Sequence, residues 1–390
     1  MKFALKITMF ILSLAVAVPS SAQLTRQLDI PPRLQWDNDG GYCGETSIQS
    51  FALYYGNYIS QDFCRKVAGG EVLIGDENGE VALDAFSFTM DTWDYNRPPP
   101  QYQDHLVWIK SHIARNHPVI ITLYLQGENS PEYDHIVPAF GYSSQDTTAY
   151  HGSDQLMFND NFVDTPYTRT FESIWDDRAL SGNGATYDYC IPKDYNYACA
   201  VTGIKDDAEE TLPLHLSVNR WDEPNVSLGE SPVLLTGTLV AESLQTGGRY
   251  VLLRYDSYLK VPSSGFNPGG ADTAIYFTAA GPTYTTTATF MSNAAVFFRC
   301  VPDIFSAADP SSQPSRMETA VYPNPAHDLL TVSSPANAVI EILGADAKVV
   351  MSKTYRKPKN TMDIGDLPCG TYLLRIRAEG GVTCRRFIKD

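Results

Sequence analysis

Residues 34–47 carry the pattern with the clearest chemical potential in this sequence. A glycine-rich turn precedes Cys43, and the stretch after it has the composition of a helix that stops at Gly56. A cysteine in the first turn of a helix meets unpaired backbone N–H groups and the positive end of the helix dipole. Both favour a thiolate, so the sequence predicts Cys43 as a nucleophile with a lowered pKa.

A nucleophilic thiol needs a base and a group that orients the base. His135 begins an apolar run with strand character, and the next such run leads into Asn159 and Asp160. Alternation along that second run does not decide which of the two side chains faces the histidine. Upstream, the amide of Gln35 is a candidate donor to an oxyanion, together with the Cys43 N–H.

Each of these residues also has a purely structural interpretation. Cys43 is then a buried thiol or half of a disulfide, for example with Cys64, and His135 is a histidine satisfied inside the core. The setting between Tyr42 and Gly44 favours the nucleophile, and the other six histidines lack the strand context of His135.

The order of these residues resembles that of papain-like cysteine peptidases, in particular the family that includes bacteriocin-leader peptidases of the double-glycine type. The resemblance covers residues 33 to about 180. It implies Cys43 as the nucleophile, His135 as the base and Asp160 as the orienting carboxylate. Gln35 matches the oxyanion glutamine, at eight positions before Cys43 rather than the shorter spacing usual in the family.

Periodicity predicts the elements that would position this site. Apolar spacing indicates a helix at 101–116, and β-branched runs indicate strands at 119–125, 135–142 and 156–158. Together with the resemblance, this predicts an α+β papain-like domain over residues 31–205.

Residues 211–301 lose the helical periodicity and show short alternating runs separated by Gly and Pro. The runs lie at 233–240, 250–255, 274–278 and 295–299. This pattern predicts an all-β sandwich domain. Residues 302–316, rich in Ser, Pro, Ala and Asp, are predicted as a linker.

Residues 317–390 are predicted as a small all-β unit with strands at 329–332, 339–343 and 372–377. The unit opens on Val321-Tyr322-Pro323-Asn324-Pro325 and closes near Arg386-Phe387-Ile388-Lys389. These motifs resemble the C-terminal sorting domain of the type IX (Por) secretion system. The resemblance implies export across the outer membrane by that machinery, with the tail usually cut off at the surface.

Residues 1–22 have the features of a signal peptide, with Lys2 and Lys6 before an apolar run and small residues at its end. No other segment is apolar enough for a transmembrane span. The formal net charge of −16 argues against nucleic-acid binding, which needs an excess of Lys and Arg. No phosphate loop or metal-spaced histidine pair occurs, so no cofactor or metal is predicted.

The seven cysteines leave at least one thiol unpaired. Export permits disulfides, and proximity in sequence predicts the pairs Cys190 with Cys199 and Cys369 with Cys384.

These patterns together predict a secreted or cell-surface cysteine hydrolase. A peptidase acting on a peptide or protein is the first hypothesis, with an amidase or acyltransferase on the same triad as variants. The alternative is a non-catalytic surface binding or adhesion protein that uses a papain-like scaffold and a Tyr-rich β-sandwich.

Overall fold

The computed structural model describes residues 24–36, 41–125, 134–163, 165–176, 189–304, 319–344, 348–378 and 381–390. The predicted signal peptide, 1–22, and most of the predicted linker, 302–316, lie outside these ranges.

Residues 24–204 hold every α-helix of the described chain. The helices are α1 (Cys43–Tyr54), α2 (Gln61–Ala68), α3 (Asn78–Ala85) and α4 (Tyr102–Ala114). The strands are β1 (Leu24–Gln27), β2 (Asn57–Ile59), β3 (Phe88–Thr92), β4 (Val119–Leu125), β5 (Asp134–Ser144), β6 (Gln155–Asp160), β7 (Thr165–Thr170), β8 (Trp175–Asp176), β9 (Tyr189–Pro192) and β10 (Ala198–Ile204).

All of these strands except β2 belong to one nine-stranded sheet, whose main order is β3-β10-β4-β5-β6-β7. β1 pairs with β5, β9 with β4, and β8 with β9. The central strand β4 is a run of apolar and β-branched residues, and consecutive side chains such as Val119, Ile120 and Ile121 are all buried. Burial of neighbours in sequence means that both faces of the sheet are covered at this point.

Helix α1 lies inside the core and packs against β5. All of its residues from Gly44 to Leu53 are buried. Gly44 is required for this packing, because a Cβ there would lie 2.6 Å from the carbonyl oxygen of Val72. The glycine after Cys43 therefore lets the chain at Val72 approach the first turn of the helix.

Residues 214–302 form two antiparallel sheets around a shared core. The strands are β11 (Leu214–Val218), β12 (Leu234–Ala241), β13 (Arg249–Tyr255), β14 (Thr273–Thr278), β15 (Tyr284–Met291) and β16 (Ala295–Pro302). One sheet has the order β11-β12-β15 and the other β14-β13-β16-β2. Strand β2 thus crosses from the first region into the second, and its Tyr58 packs in the core between the two sheets.

The C-terminal region is a second pair of antiparallel sheets. Its strands are β17 (Ala320–Tyr322), β18 (Leu329–Ser333), β19 (Ala338–Leu343), β20 (Val349–Tyr355), β21 (Lys359–Asp363), β22 (Gly370–Ala378) and β23 (Gly381–Lys389). The orders are β17-β18-β21 and β20-β19-β22-β23. Alternate residues, among them Leu330, Val332, Ile340 and Ile342, point into its own core.

The helices predicted at 43–55 and 101–116 and the strands predicted from 119 to 158 are confirmed as α1, α4, β4, β5 and β6. Two strands of the second region, β11 and β15, were not predicted. β15 is rich in threonine, and only Phe290 on it is buried, so it carries little apolar signal. The last α-helix of the described chain ends at Ala114. Beyond it the regular structure is β-strand apart from short 3₁₀ turns, so the described chain as a whole is mostly β.

Both disulfide predictions are wrong. Cys190 lies opposite Tyr124 on β4, while Cys199 lies opposite Ile120 on the same strand. Four residues along a strand separate them by about 13 Å, beyond the roughly 4.4–6.8 Å between Cα atoms that a disulfide permits. Cys384 lies opposite Arg375, six residues from Cys369, which gives about 20 Å.

Candidate active site

Cys43 is the first residue of α1, as the sequence predicts, and its side chain is partly buried. The turn before it is held by Arg65, whose guanidinium lies 3.5 Å from the ring centroid of Tyr42 and donates to Glu45 at 2.7 Å. Cys43 and Cys64 are both free thiols. The structure therefore leaves the Cys43 sulfur available for chemistry.

Burial raises the pKa of the Cys43 thiol to about 11, and the charge of Glu45 adds to the increase. The backbone N–H groups of Ile136, Gly44 and Cys43 itself interact with the sulfur and act in the opposite direction. The predicted lowering of this pKa is wrong, because loss of water around the sulfur outweighs the N–H groups at the helix start.

His135 lies near the beginning of β5, fully buried. Its Nε2 is 2.9 Å from Oδ1 of Asp160, and its ring stacks on Phe162 with centroids 4.3 Å apart. Its Nδ1 is also buried and has no hydrogen-bond partner among the described residues. One ring nitrogen is thus held by a carboxylate while the other is free to exchange a proton.

Asp160 is the last residue of β6, and three donors converge on its carboxylate. They are His135, the Tyr189 hydroxyl and the Phe162 N–H, the last at 2.9 Å. Burial raises the pKa of this carboxyl, but the three hydrogen bonds outweigh that cost and hold the pKa below its ordinary value. Asp160 is therefore an anion at neutral pH.

Asn159, the alternative third member, points away from His135. Its Nδ2 donates to the carbonyl oxygen of Ile30 at 2.9 Å. Of the two side chains that the sequence left open, the structure brings Asp160 to the histidine.

Asn161 and Ser47 join the turn that carries Cys43 to the strand that carries His135. Asn161 Nδ2 lies 3.0 Å from the carbonyl oxygen of Cys43 and 3.1 Å from that of Ile136. The Ser47 hydroxyl lies 2.9 Å and 3.2 Å from the same two oxygens. Together with the Ile136 N–H, which interacts with the Cys43 sulfur, these contacts hold the start of α1 against β5 at the residue next to His135.

Gln35 lies in the extended segment before α1, and its N–H donates to the Asn161 carbonyl oxygen at 2.9 Å. Its side chain is 7% exposed, and Oε1 is buried without a partner among the described residues. Gln35 is therefore attached to the same junction through Asn161, with a side-chain Oε1 that has no partner among the described residues.

Sequence reasoning missed Asn161, Phe162 and Tyr189. Asn161 and Phe162 directly follow Asp160, so the polar and aromatic run at the end of β6 was a local signal for them. Tyr189 is 29 residues further on and reaches Asp160 only through the pairing of β9 with β4. Nothing local in the sequence indicates that contact.

Within the described residues, no group of three or more His, Cys, Asp or Glu side chains is arranged to hold a metal ion. The groups described at this junction are a thiol, an imidazole, a carboxylate and nearby amides.

Residues 320–390 match the family model of the secretion system C-terminal sorting domain. A search of curated protein sequences finds no match.

Two solved structures show limited similarity. One is PorZ, described as an essential bacterial surface component of the type-IX secretion system of Porphyromonas gingivalis. It is 13% identical over 26% of this chain and 15% of its own, with a TM-score of 0.18. The BSP domain of a biofilm associated protein is 9% identical over 74% of this chain and 68% of its own, with a TM-score of 0.15. At such low TM-scores neither similarity defines a fold.

In the described part of the chain, no helix has the length and apolar character needed to cross a membrane. Residues 320–390 are a secretion system C-terminal sorting domain, and the protein is secreted to the cell surface or beyond through the type IX secretion machinery.

Proposed function

We propose that this protein is a secreted cysteine hydrolase that cleaves amide bonds through Cys43, His135 and Asp160. The observation that carries the proposal is the state of His135: Nε2 is held by an ionised Asp160, Nδ1 has no partner among the described residues, and the N–H of the next residue, Ile136, interacts with the Cys43 sulfur. A buried imidazole with one nitrogen fixed and the other open is the arrangement that a general base requires.

In the first half of the reaction, His135 Nδ1 takes the proton of the Cys43 thiol as the sulfur attacks the substrate carbonyl carbon. The raised pKa of the thiol fits this order, because the proton is then removed during attack rather than beforehand. The oxyanion is stabilised by the Cys43 N–H and the Gln35 amide. When the C–N bond breaks, His135 returns the proton to the leaving amine and a thioester remains on Cys43.

In the second half, His135 accepts a proton from water as the water oxygen attacks the thioester carbonyl carbon. The C–S bond breaks, the proton passes to the sulfur, and a carboxylic acid leaves. Asp160 stabilises the imidazolium in both halves and keeps Nδ1 aimed at the reacting atoms.

The resemblance to papain-like peptidases supports a peptide or protein as the substrate, on an α+β scaffold of that kind. It rests on the Cys-Gly step at Cys43 and on the order Cys43, His135, Asp160. Release to water gives a peptidase or amidase, and transfer of the acyl group to an amine gives an acyltransferase.

Cleavage of a peptide library tests the proposal. The folded protein is incubated with peptides from a proteome digest, and new termini are identified by mass spectrometry. We expect cleavage by the wild type and by Cys64→Ala, which removes a buried thiol outside the triad, and none by Cys43→Ala. Equal cleavage by Cys43→Ala would exclude Cys43 as the nucleophile.

One observation favours the alternative, a non-catalytic surface binding protein: burial keeps the Cys43 thiol protonated in the resting state. Alkylation by iodoacetamide separates the two. In a hydrolase, Cys43 reacts faster than Cys64 at neutral pH, and His135→Ala slows it. In a binding scaffold, both thiols stay unreactive until the protein unfolds.

A further inference from the structure

A cavity of about 190 Å³, here called the indole cavity, lies beside Gln35. One wall is the segment before α1, and the other is the turn at Arg220–Asp222 with the residues that follow it, which belong to the second region. Ligand pockets for whole small molecules are larger, at roughly 300–1,000 Å³. The indole cavity therefore has room for one side chain.

Two indole side chains line the cavity from opposite regions of the chain. Trp36 is 6% exposed and packs on Tyr42 with ring centroids 5.4 Å apart. Trp221 is 70% exposed. An exposed Trp that shares a cavity with a second indole offers a large apolar contact surface of the kind that binding sites use.

Two of the three charged side chains in the cavity wall neutralise each other. Arg33 and Glu223 form an ion pair whose side chains are 3% and 6% exposed. Gln49 joins both, accepting from Arg33 Nε at 3.0 Å and donating to Glu223 at 3.3 Å. Arg33 and Glu223 are thus satisfied inside the wall, and the guanidinium of the third charged residue, Arg220, lies against the Trp221 ring, so the two indoles supply most of the surface that is left for an occupant.

The position of Trp221 is fixed by contacts to the first region. Asn219 accepts a hydrogen bond from the Trp221 N–H at 3.3 Å. Arg220 donates to the carbonyl oxygen of Pro32 at 3.0 Å, and its guanidinium lies 4.9 Å from the Trp221 ring centroid. The turn therefore holds its indole in place next to the segment that carries Gln35.

Gln35 connects the indole cavity to the nucleophile. It lines the cavity, its N–H is bonded to Asn161, and Asn161 is bonded to the carbonyl oxygen of Cys43. Trp36 reaches the same turn through Tyr42, the residue before Cys43. A peptide whose carbonyl lies between Cys43 and the Gln35 amide would place a neighbouring side chain in the indole cavity.

We infer that the indole cavity binds an aromatic or bulky apolar side chain of a peptide substrate, within two residues of the scissile bond. This inference rests on the proposed function. It assigns Trp221 as a residue that determines specificity, and it gives the second region a part in substrate selection.

The test compares cleavage-site profiles of wild type and Trp221→Ala on the same peptide library. The matched control is Leu228→Ala, which truncates a side chain 62% exposed on a neighbouring turn outside the cavity lining. We expect wild type and Leu228→Ala to favour bonds flanked by Phe, Tyr, Trp or Leu. Trp221→Ala should lose about tenfold or more of that preference in kcat/KM, mostly through KM.

The outcomes separate the two proposals. If the wild type cleaves without this preference, or if Trp221→Ala keeps it unchanged, the indole cavity is not a specificity site although the hydrolase proposal stands. A preference for acidic or basic flanking residues also overturns the inference. If the wild type cleaves nothing and iodoacetamide does not react with Cys43, both proposals fall.

Discussion

Two buried histidines in different parts of the first region show how the same side chain is placed for different purposes. His135 on β5 and His105 on α4 are both completely buried. His135 is hydrogen-bonded to Asp160, whereas neither ring nitrogen of His105 has a partner among the described residues. His105 instead lies against Trp93, with ring centroids 5.0 Å apart.

The two buried rings differ in whether a charged partner compensates for the loss of contact with water. Burial alone lowers the pKa of His105 to about 3, so its ring stays neutral under ordinary conditions and contributes packing. At His135 the anionic Asp160 accepts a hydrogen bond from the ring and fixes one of its nitrogens, a partner that His105 lacks among the described residues. The comparison teaches that burial does not distinguish a core histidine from a candidate base, whereas a fixed carboxylate partner does.

The largest expected difference in hydrolysis rate is between two single variants, each of which replaces one of these histidines by an apolar residue. His135→Ala should lower the hydrolysis rate by about a thousandfold or more, since it removes the base. His105→Leu should leave the rate within a few-fold of the wild type. Peptide hydrolysis measures both, and circular dichroism shows whether each variant is folded. Equal losses in two folded variants would contradict the distinction.

Local pattern was sufficient to predict several parts of this site. The helix start at Cys43 and the strand of His135 lie within short stretches of clear periodicity, whereas at the end of β6 the pattern left Asn159 and Asp160 open and only the family resemblance selected Asp160. The sorting domain was also predictable, because its motifs occur in order within about seventy residues.

Features set by distant segments could not be predicted. The burial that raises the Cys43 pKa comes from packing of β5 and of the chain near Val72 over the helix start. In the sequence, β2 directly follows the helix stop at Gly56 and carries no sign of a distant partner. In the structure it pairs with β16, more than two hundred residues later. The contact of Tyr189 with Asp160 has the same long-range origin.

Asp160→Asn sharpens the comparison by removing the negative charge while keeping the shape of the side chain. Without the carboxylate, the imidazolium at His135 loses its compensation and the ring loses its fixed tautomer. We expect a rate loss of about a hundredfold or more at neutral pH, smaller than that of His135→Ala. The control is Asn159→Ala, whose side chain binds Ile30 and not His135. A larger rate loss in Asn159→Ala than in Asp160→Asn would indicate that Asn159, and not Asp160, orients His135.

Tyr189→Phe removes one of the three donors to Asp160 without altering its charge. A hydrogen bond to a charged group contributes about 1.5–3 kcal/mol, so we expect roughly a tenfold loss in kcat. Losing this donor should also raise the pKa of Asp160, so the acid limb of the pH–rate profile should move to higher pH. The profile distinguishes this role from simple packing, which would lower the rate equally at every pH. Tyr55→Phe, which removes a hydroxyl that donates to the Val201 carbonyl oxygen and does not contact Asp160, is the control.

The smallest expected effect is on stability and concerns His105. Its pKa is about 3 in the folded protein and about 6.5 when unfolded, so the unfolded chain binds more protons between these values. The stability that His105 provides is therefore present above pH 6.5 and is lost as the pH falls toward 3. Integrated from pH 7 to 5.5, the loss is about 1 kcal/mol in the free energy of unfolding.

His105→Leu should remove that part of the pH dependence, so its unfolding curve in urea should weaken less on acidification than that of the wild type. His327→Ala, at a histidine exposed in the C-terminal region, should leave the pH dependence unchanged. His105→Leu should still lose some stability in acid, because burial also lowers the pKa of His112, to about 4. Parallel pH curves for wild type and His105→Leu would mean that His105 gains a proton in the folded core. The contrast with His135 would then rest on the Asp160 contact alone.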